Sequence, residues 1–365
     1  MSVFLIDAGR EWRESQRQTL YVARELRKKG YAAHLVLEPG SEIFRRASEE
    51  GLPTLPVRMR GRLAWLVRKS LVRQMRDRGC KLVHVHETFG AALGLAAAAV
   101  AQIPLRILSR PADSSPLEGR LPLVSIDAVI AGTEAVKSIL IRGGVAADRI
   151  EVVPPGVDFS PFTSQPPEDL VRRELDLGPD DFLVGAVLPL EDERGQRALL
   201  EASAIVSGQS PKVKIVVLGE GSLRLDAGEG GNVPAMDGVR YFLGRRAESA
   251  RILSSLNMFV VFSHLDGLGG FLVEAMASGL PVAAVDVGMA RELIIHRESG
   301  LLVPPRNAKA LADAILKVHF DRNLAARLAS GGRGAVLEKY SAEAMARRII
   351  GVYEWRAHRK GIKLA

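Results

Sequence analysis

Residues Ser263 to Pro305 read SHLDGLGGFLVEAMASGLPVAAVDVGMARELIIHRESGLLVPP. Just before them, the apolar run Met258–Phe262 (MFVVF) predicts a buried strand. Gly267, Gly269 and Gly270 then form a loop and Phe271–Ala277 reads as a helix. Gly279 stops that helix, and Pro281–Val285 returns as a strand. Strand, glycine loop, helix and strand make up the unit of a parallel α/β layer. The glycines permit a tight turn and expose backbone N–H groups at a helix N-terminus, where a partial positive charge suits a phosphate. Asp266 precedes the loop and Glu274 lies one to two turns inside the helix. Two carboxylates flanking a phosphate site can hydrogen-bond sugar hydroxyls at either end of a diphosphate. A capping Asp266 and a solvated Glu274 fit the same spacing, which does not separate the two readings.

The alternation continues toward the N-terminus. Phe182–Val187, Lys214–Leu218 and Val239–Phe242 are strand candidates of the same series. A separate series comprises Ser2–Asp7 (SVFLID), Ala33–Leu37, Leu82–Val85, Leu105–Leu108 and Ala128–Ala131. A helix is predicted over about Glu14–Lys29, with Leu20, Tyr21, Ala23 and Leu26 sharing a stripe and Gly30 as its stop. The Ala-rich segment Ala91–Ala101 suits a helix packed closely on a sheet. Between the series, VPPGVDFSPF (Val153–Phe162) and the polar stretch to Pro167 mark a linker. The expected fold class is α/β, with two doubly wound domains at 1–160 and 161–344. A closing helix at about 345–365, with the stripe Met345, Ile349, Val352 and Tyr353 and Ser341 as cap, is expected to cross back onto the first domain.

Bulk properties narrow the class. A chain of 365 residues exceeds one ordinary core, and 47% apolar with 25% charged residues describes a folded protein. The single cysteine, Cys80, excludes an intramolecular disulfide framework and matches a reducing cytoplasm. The N-terminal MSVFLIDAGREWRE meets charge too early for a secretory segment. The longest apolar run, Phe89–Ile103, falls short of the roughly 20 residues of a membrane span. Cytoplasmic localisation is expected, and the formal charge of +8 points to an anionic partner. Residues 58–78 (RMRGRLAWLVRKSLVRQMRDR) interleave eight basic residues with Leu63, Trp65, Leu66, Val67 and Leu71. This is either an ordinary amphipathic helix with a solvated basic face or a surface that meets anionic lipid on the inner face of the membrane. No helix-turn-helix, zinc or aromatic-stacking signature supports nucleic acid as a partner.

Asp266–Val282, D-G-L-G-G-F-L-V-E-A-M-A-S-G-L-P-V, resembles the E-G-F-G-x-x-x-x-E-A-M-A-x-G-x-P-V signature of retaining family 4 glycosyltransferases of the GT-B fold. ESGLLVPP (Glu298–Pro305), ALADAI (Ala310–Ile315), VPPGVD (Val153–Asp158), LGEG (Leu218–Gly221) and FLGRR (Phe242–Arg246) are similar to further stretches of that family. GREWRESQRQ and HVHE resemble segments of lipopolysaccharide-core and related lipid-linked sugar transferases. The resemblance implies two Rossmann-like domains facing a central cleft. It implies that Glu274 binds ribose hydroxyls and Asp266 the hexose, while amides of Leu268, Gly269 and Gly270 meet phosphate and sugar oxygens. Backbone near Gly244 and Arg245 is implied at the nucleobase, with Gly219 and Glu220 also on the donor side. The implied co-substrate is a UDP-, GDP- or ADP-sugar and the implied partner a glycan or glycolipid acceptor. No cofactor or metal is implied, and the sequence has no paired Asp-x-Asp or His/Cys ligand cluster.

Several positions depart from the family pattern. Its phosphate-binding Arg falls on Pro189 and its Lys on Arg194, which keeps the charge and changes the hydrogen-bond geometry. The usual Gly-Gly of the first loop, after Arg13, is Glu14–Ser15, which introduces a carboxylate. An N-domain His falls on Arg110, and Asp266 and Leu268 replace Glu and Phe. In His84-Val85-His86-Glu87, alternation points both histidines to one side of a strand. His86 and Glu87 then sit at a strand's carboxyl end, on the acceptor side, or His86 is structural. The expected function is transfer of a hexose to a saccharide or lipid-linked glycan in cell-envelope polysaccharide synthesis, with Arg194 and Arg110 as compensating cations. The alternatives are a degenerate relative that binds without transfer and a nucleotide-sugar epimerase.

Overall fold

The computed structural model describes residues 2–59, 64–86, 88–110, 126–163, 170–187, 193–218, 239–242, 249–262 and 269–363. They form two compact units, one of Met1–Gly156 with Ala342–Ala365 and one of Val157–Ser341. Among the described residues, no helix is long and apolar enough to cross a membrane.

Unit 1 is built on seven parallel strands: β1 (Ser2–Asp7), β2 (Ala32–Leu37), β3 (Thr54–Pro56), β4 (Cys80–Val85), β5 (Leu105–Arg110), β6 (Ala128–Ala131) and β7 (Ile150–Val152). Their order is β3-β2-β1-β4-β5-β6-β7, so the winding reverses between β1 and β4. Every residue of β1 is buried, as expected of a central strand covered on both faces. Its alternation sorts the core: Phe4 and Ile6 join one apolar cluster, with Leu71 and Met75 of the helix Ala64–Asp77 and Leu95 of the helix Thr88–Val100. Val3 and Leu5 join the opposite cluster, with Leu20 and Leu26 of the helix Glu14–Lys28 and Ile349 and Tyr353 of the helix Ala342–Arg359. The helices Glu14–Lys28 and Ala342–Arg359 pack side by side there. On Glu14–Lys28 the buried positions include Val22, whereas Tyr21, expected in the stripe, is only partly covered.

Unit 2 carries six parallel strands: β8 (Phe182–Val187), β9 (Val213–Leu218), β10 (Val239–Phe242), β11 (Met258–Val261), β12 (Val282–Val285) and β13 (Leu301–Val303). The order β10-β9-β8-β11-β12-β13 reverses between β8 and β11. Both sheets are therefore doubly wound, in agreement with the expected α/β class. The helix after β11 spans Gly269–Ala277 and begins two residues earlier than the spacing predicts, so Gly269 and Gly270 belong to its first turn and not to a loop. The reason is packing. A Cβ on Gly269 would lie 2.0 Å from Met289 Sδ, 2.9 Å from its Cγ and 3.1 Å from its Cβ. Any side chain at 269 would require Met289, on the helix Gly288–Leu293, to move aside.

Candidate functional site

At the carboxyl end of β1 the chain turns into the helix Glu14–Lys28, and Asp7 organises the turn. Its fully buried carboxylate accepts from Gly9 N–H at 2.9 Å, Gln16 Nε2 at 2.8 Å and Thr19 Oγ1 at 2.8 Å. Gln16 Oε1 in turn accepts from Arg13 N–H at 3.2 Å, which satisfies one donor of the entering backbone. Gln18 clamps Gly156 from both sides, donating to its carbonyl at 3.1 Å and accepting from its N–H at 3.0 Å. Glu14 and Ser15 are thereby held in the first turn of a fixed helix.

Glu14 and Ser15 face a pocket that also takes in His86 beyond β4, and Ser109 and Arg110 at the end of β5. Met345 and Ile349 of the C-terminal helix line its apolar side, and the pocket is open to solvent, with a cavity volume of ≈ 40 Å³. The lining sits at carboxyl ends of strands beside the β1/β4 reversal, where loops and helix N-termini of such sheets meet ligands. Four residues singled out from the sequence, Glu14, Ser15, His86 and Arg110, thus meet in one place. Arg13 does not join them; it pairs with Glu11 at the surface.

The electrostatics of the pocket are set by burial. His86 is 1% exposed, its backbone N–H donates to Ile6 O at 3.0 Å, and its Nε2 has no hydrogen-bond partner among the described residues. Burial pushes its pKa down to about 3, so the ring is neutral near pH 7. His84 lies on the same face, ring centroids 3.8 Å apart, and bonds Tyr353 through Nδ1 and Ser109 Oγ, at 2.8 Å, through Nε2. Burial first and His86 second hold its pKa well below the usual value. A buried nitrogen without a partner costs free energy. Arg110, 4% exposed, supplies the cation of this lining.

In unit 2, Glu274 is 4% exposed, which overturns the solvated reading of this residue. Its backbone carbonyl accepts from Ser278 Oγ at 2.9 Å, close to the end of the helix. Arg194 falls in the helix Glu193–Gln209, with its side chain outside the described residues. Glu87, Pro189, Gly219, Glu220, Gly244, Arg245, Asp266, Gly267 and Leu268 also lie outside them.

Sequence reasoning missed Asp7, Gln16, Thr19, Ser109 and Gln18. A signal existed for Gln16 and Thr19: they share the helix face of Leu20 and Ala23, and polar residues on a buried face need partners. Ser109 carries no such local mark.

Two family models match. Glycosyltransferase Family 4 covers residues 15–160, and Glycosyl transferases group 1 covers residues 181–321. With this pocket and two doubly wound sheets, the chain belongs to the family 4 glycosyltransferases of GT-B fold. A D-inositol 3-phosphate glycosyltransferase of Xylanimonas cellulosilytica is 28% identical over 70% of this chain and 67% of its own length. The phosphatidyl-myo-inositol mannosyltransferase of Mycolicibacterium smegmatis is 27% identical over 93% of this chain and 89% of its own. The crystal structure of Anabaena HepE in complex with UDP and glucose matches with a TM-score of 0.77, over 96% of this chain and 99% of that one. At 20% identity, that likeness speaks to the fold alone.

Proposed function

We propose that this protein is a retaining hexosyltransferase that carries a sugar from a nucleoside diphosphate to a saccharide or lipid-linked glycan in cell-envelope polysaccharide synthesis. The observation that carries the reading is the unit 1 pocket, where a buried, unsatisfied imidazole meets a cation and a carboxylate at strand ends. Both relatives above are named for phosphorylated inositols, which suits an acceptor that is polyhydroxylated and anionic. The HepE complex makes UDP-glucose the first donor to test.

In this reading Glu274 holds the ribose hydroxyls and Asp266 the hexose. The amides of Leu268, Gly269 and Gly270 bind phosphate oxygens. Gly244 and Arg245 meet the base, beside Gly219 and Glu220. Arg194 and Arg110 offset the charge of the leaving diphosphate, and His86 with Glu87 faces the acceptor. The acceptor oxygen attacks the anomeric carbon on the face from which the diphosphate departs, and a leaving phosphate oxygen takes the acceptor proton. Positioning and charge stabilisation do the work, without a metal ion. The helix Ala64–Asp77 keeps the enzyme peripheral on the inner membrane face: Leu71, Val72 and Met75 are buried, while Trp65 and Leu66 are 60% and 43% exposed beside Arg68, Lys69 and Arg73.

Thermal unfolding across UDP-, GDP- and ADP-sugars, followed by transfer assays on sugar and inositol acceptors, tests the proposal. One donor class is expected to raise the melting temperature and to be consumed only with acceptor present. Binding without transfer favours a non-catalytic relative, and conversion of the donor sugar without acceptor favours an epimerase. Failure of every donor to stabilise the protein rejects the reading.

A further inference from the structure

The polar chain behind the pocket has a direction. Tyr353 is 1% exposed, and among the described residues its hydroxyl has one partner, His84 Nδ1. A buried O–H without an acceptor is costly, so Tyr353 donates and Nδ1 accepts. A neutral imidazole that accepts at Nδ1 carries its proton on Nε2. That proton goes to Ser109 Oγ, 2.8 Å away. Ser109 then receives a hydrogen bond, and its own O–H has no acceptor among the described residues although the residue lines the pocket. The reverse polarity would strand the Tyr353 proton in the core.

We propose that Tyr353, His84 and Ser109 form a directed hydrogen-bond chain that leaves the Ser109 hydroxyl as a donor to an oxygen of a polyhydroxylated acceptor. The proposal rests on reading this pocket as the acceptor side. It makes Ser109 a binding residue. Tyr353, on a helix at the far end of the sequence, is a positioning residue that acts through the tautomer of His84. A serine that both receives and gives a hydrogen bond is a better donor than an isolated one, because the two bonds polarise each other.

Two measurements test it. Long-range ¹H–¹⁵N correlation spectra of the full chain, with His84 assigned by H84Q, are expected to show a neutral ring protonated at Nε2. In Y353F that ring is expected to shift toward the Nδ1-protonated form. Protonation at Nδ1 in the wild type, or a spectrum indifferent to Y353F, overturns the chain. The second measurement is transfer from UDP-glucose, or the donor found to stabilise the protein, to monosaccharide and myo-inositol phosphate acceptors. S109A and Y353F are each expected to raise the acceptor KM about fivefold to tenfold, as for one lost hydrogen bond, with kcat changed far less. The double variant is expected to be no worse than S109A, and S109T to restore most of the loss. Additive effects, or an unchanged acceptor KM, sink the proposal. If the wild type transfers to no acceptor, the acceptor-side reading fails, and the histidine spectrum still decides whether the chain exists.

Discussion

The Asp7 carboxylate and the Thr19 hydroxyl meet at 2.8 Å inside unit 1, and the bond joins the end of β1 to the second turn of the helix that follows. Asp7 also receives Gln16 and the Gly9 amide, so one buried side chain determines where that helix starts and where Glu14 and Ser15 point.

Removing the Asp7 carboxylate takes the acceptor from Gly9 N–H and Gln16 Nε2, while the Thr19 hydroxyl keeps the Ser15 carbonyl at 2.9 Å. Asp7→Ala is expected to cost about 3 kcal/mol of stability, in the range for breaking a buried polar network. Thermal melts of the variant and of Thr19→Val check this. Thr19→Val removes the hydroxyl shared between Asp7 and Ser15 O and is expected to cost about 1–2 kcal/mol.

Glu274 is buried in a short helix whose other covered residues are apolar. Glu274→Gln keeps the shape and loses the charge. It is expected to lower donor affinity at least about tenfold, as for a charge-assisted hydrogen bond to a sugar hydroxyl. Unchanged donor affinity by calorimetry would remove Glu274 from the site.

His86 gives stability a pH dependence. Its folded pKa, about 3, lies below the unfolded value near 6.5, so in that window the unfolded chain binds the extra proton. Stability is fully present above about pH 6.5 and declines as pH falls toward 3. Between pH 7 and 5 His86 alone removes about 2 kcal/mol. His84, shifted in the same direction, adds to the slope. His86→Gln is expected to flatten the melting-temperature profile over that interval, and a profile as steep as wild type would refute the assignment.

At Gly269, packing alone predicts that Ala destabilises by about 1–3 kcal/mol through collision with Met289. Adding Met289→Ala opens the space. The double variant is expected to be less destabilised than the sum of its single changes. If donor affinity stays low once the collision is relieved, the helix start also serves the phosphate.

Trp65 and Leu66 stand in solvent beside basic side chains. Co-sedimentation with phosphatidylglycerol vesicles is expected to fall about tenfold in Trp65→Ser and to weaken with salt. Binding that is indifferent to both changes would return the helix Ala64–Asp77 to an ordinary surface role.

Strand alternation and helix stops made both doubly wound sheets legible. β3, β7 and β13 went unread because strands of three residues offer no period to detect. The early start of the helix at Gly269 opposes glycine's own propensity, and the closeness of Met289, which favours a residue without a side chain there, leaves no mark in the local sequence. Glu14, Ser15, His86 and Arg110 were each chosen singly, by resemblance or by position at a strand end. What unites them is strand order, since β1, β4 and β5 are neighbours although far apart in sequence. Pairing of His84 with Tyr353 spans most of the chain and leaves no local trace.

That span has a bearing on biosynthesis. Met345, Ile349 and Tyr353 belong to unit 1 but are translated after all of unit 2. At about 5–20 residues per second, the ribosome needs roughly 10–40 s between releasing the first part of unit 1 and supplying the helix that completes it. Until then Val3, Leu5 and Leu20 lack one of their covering helices, and the unit 1 pocket lacks a wall. The nascent first half therefore exposes apolar surface until the last helix arrives, and that helix completes the pocket only at the end of synthesis.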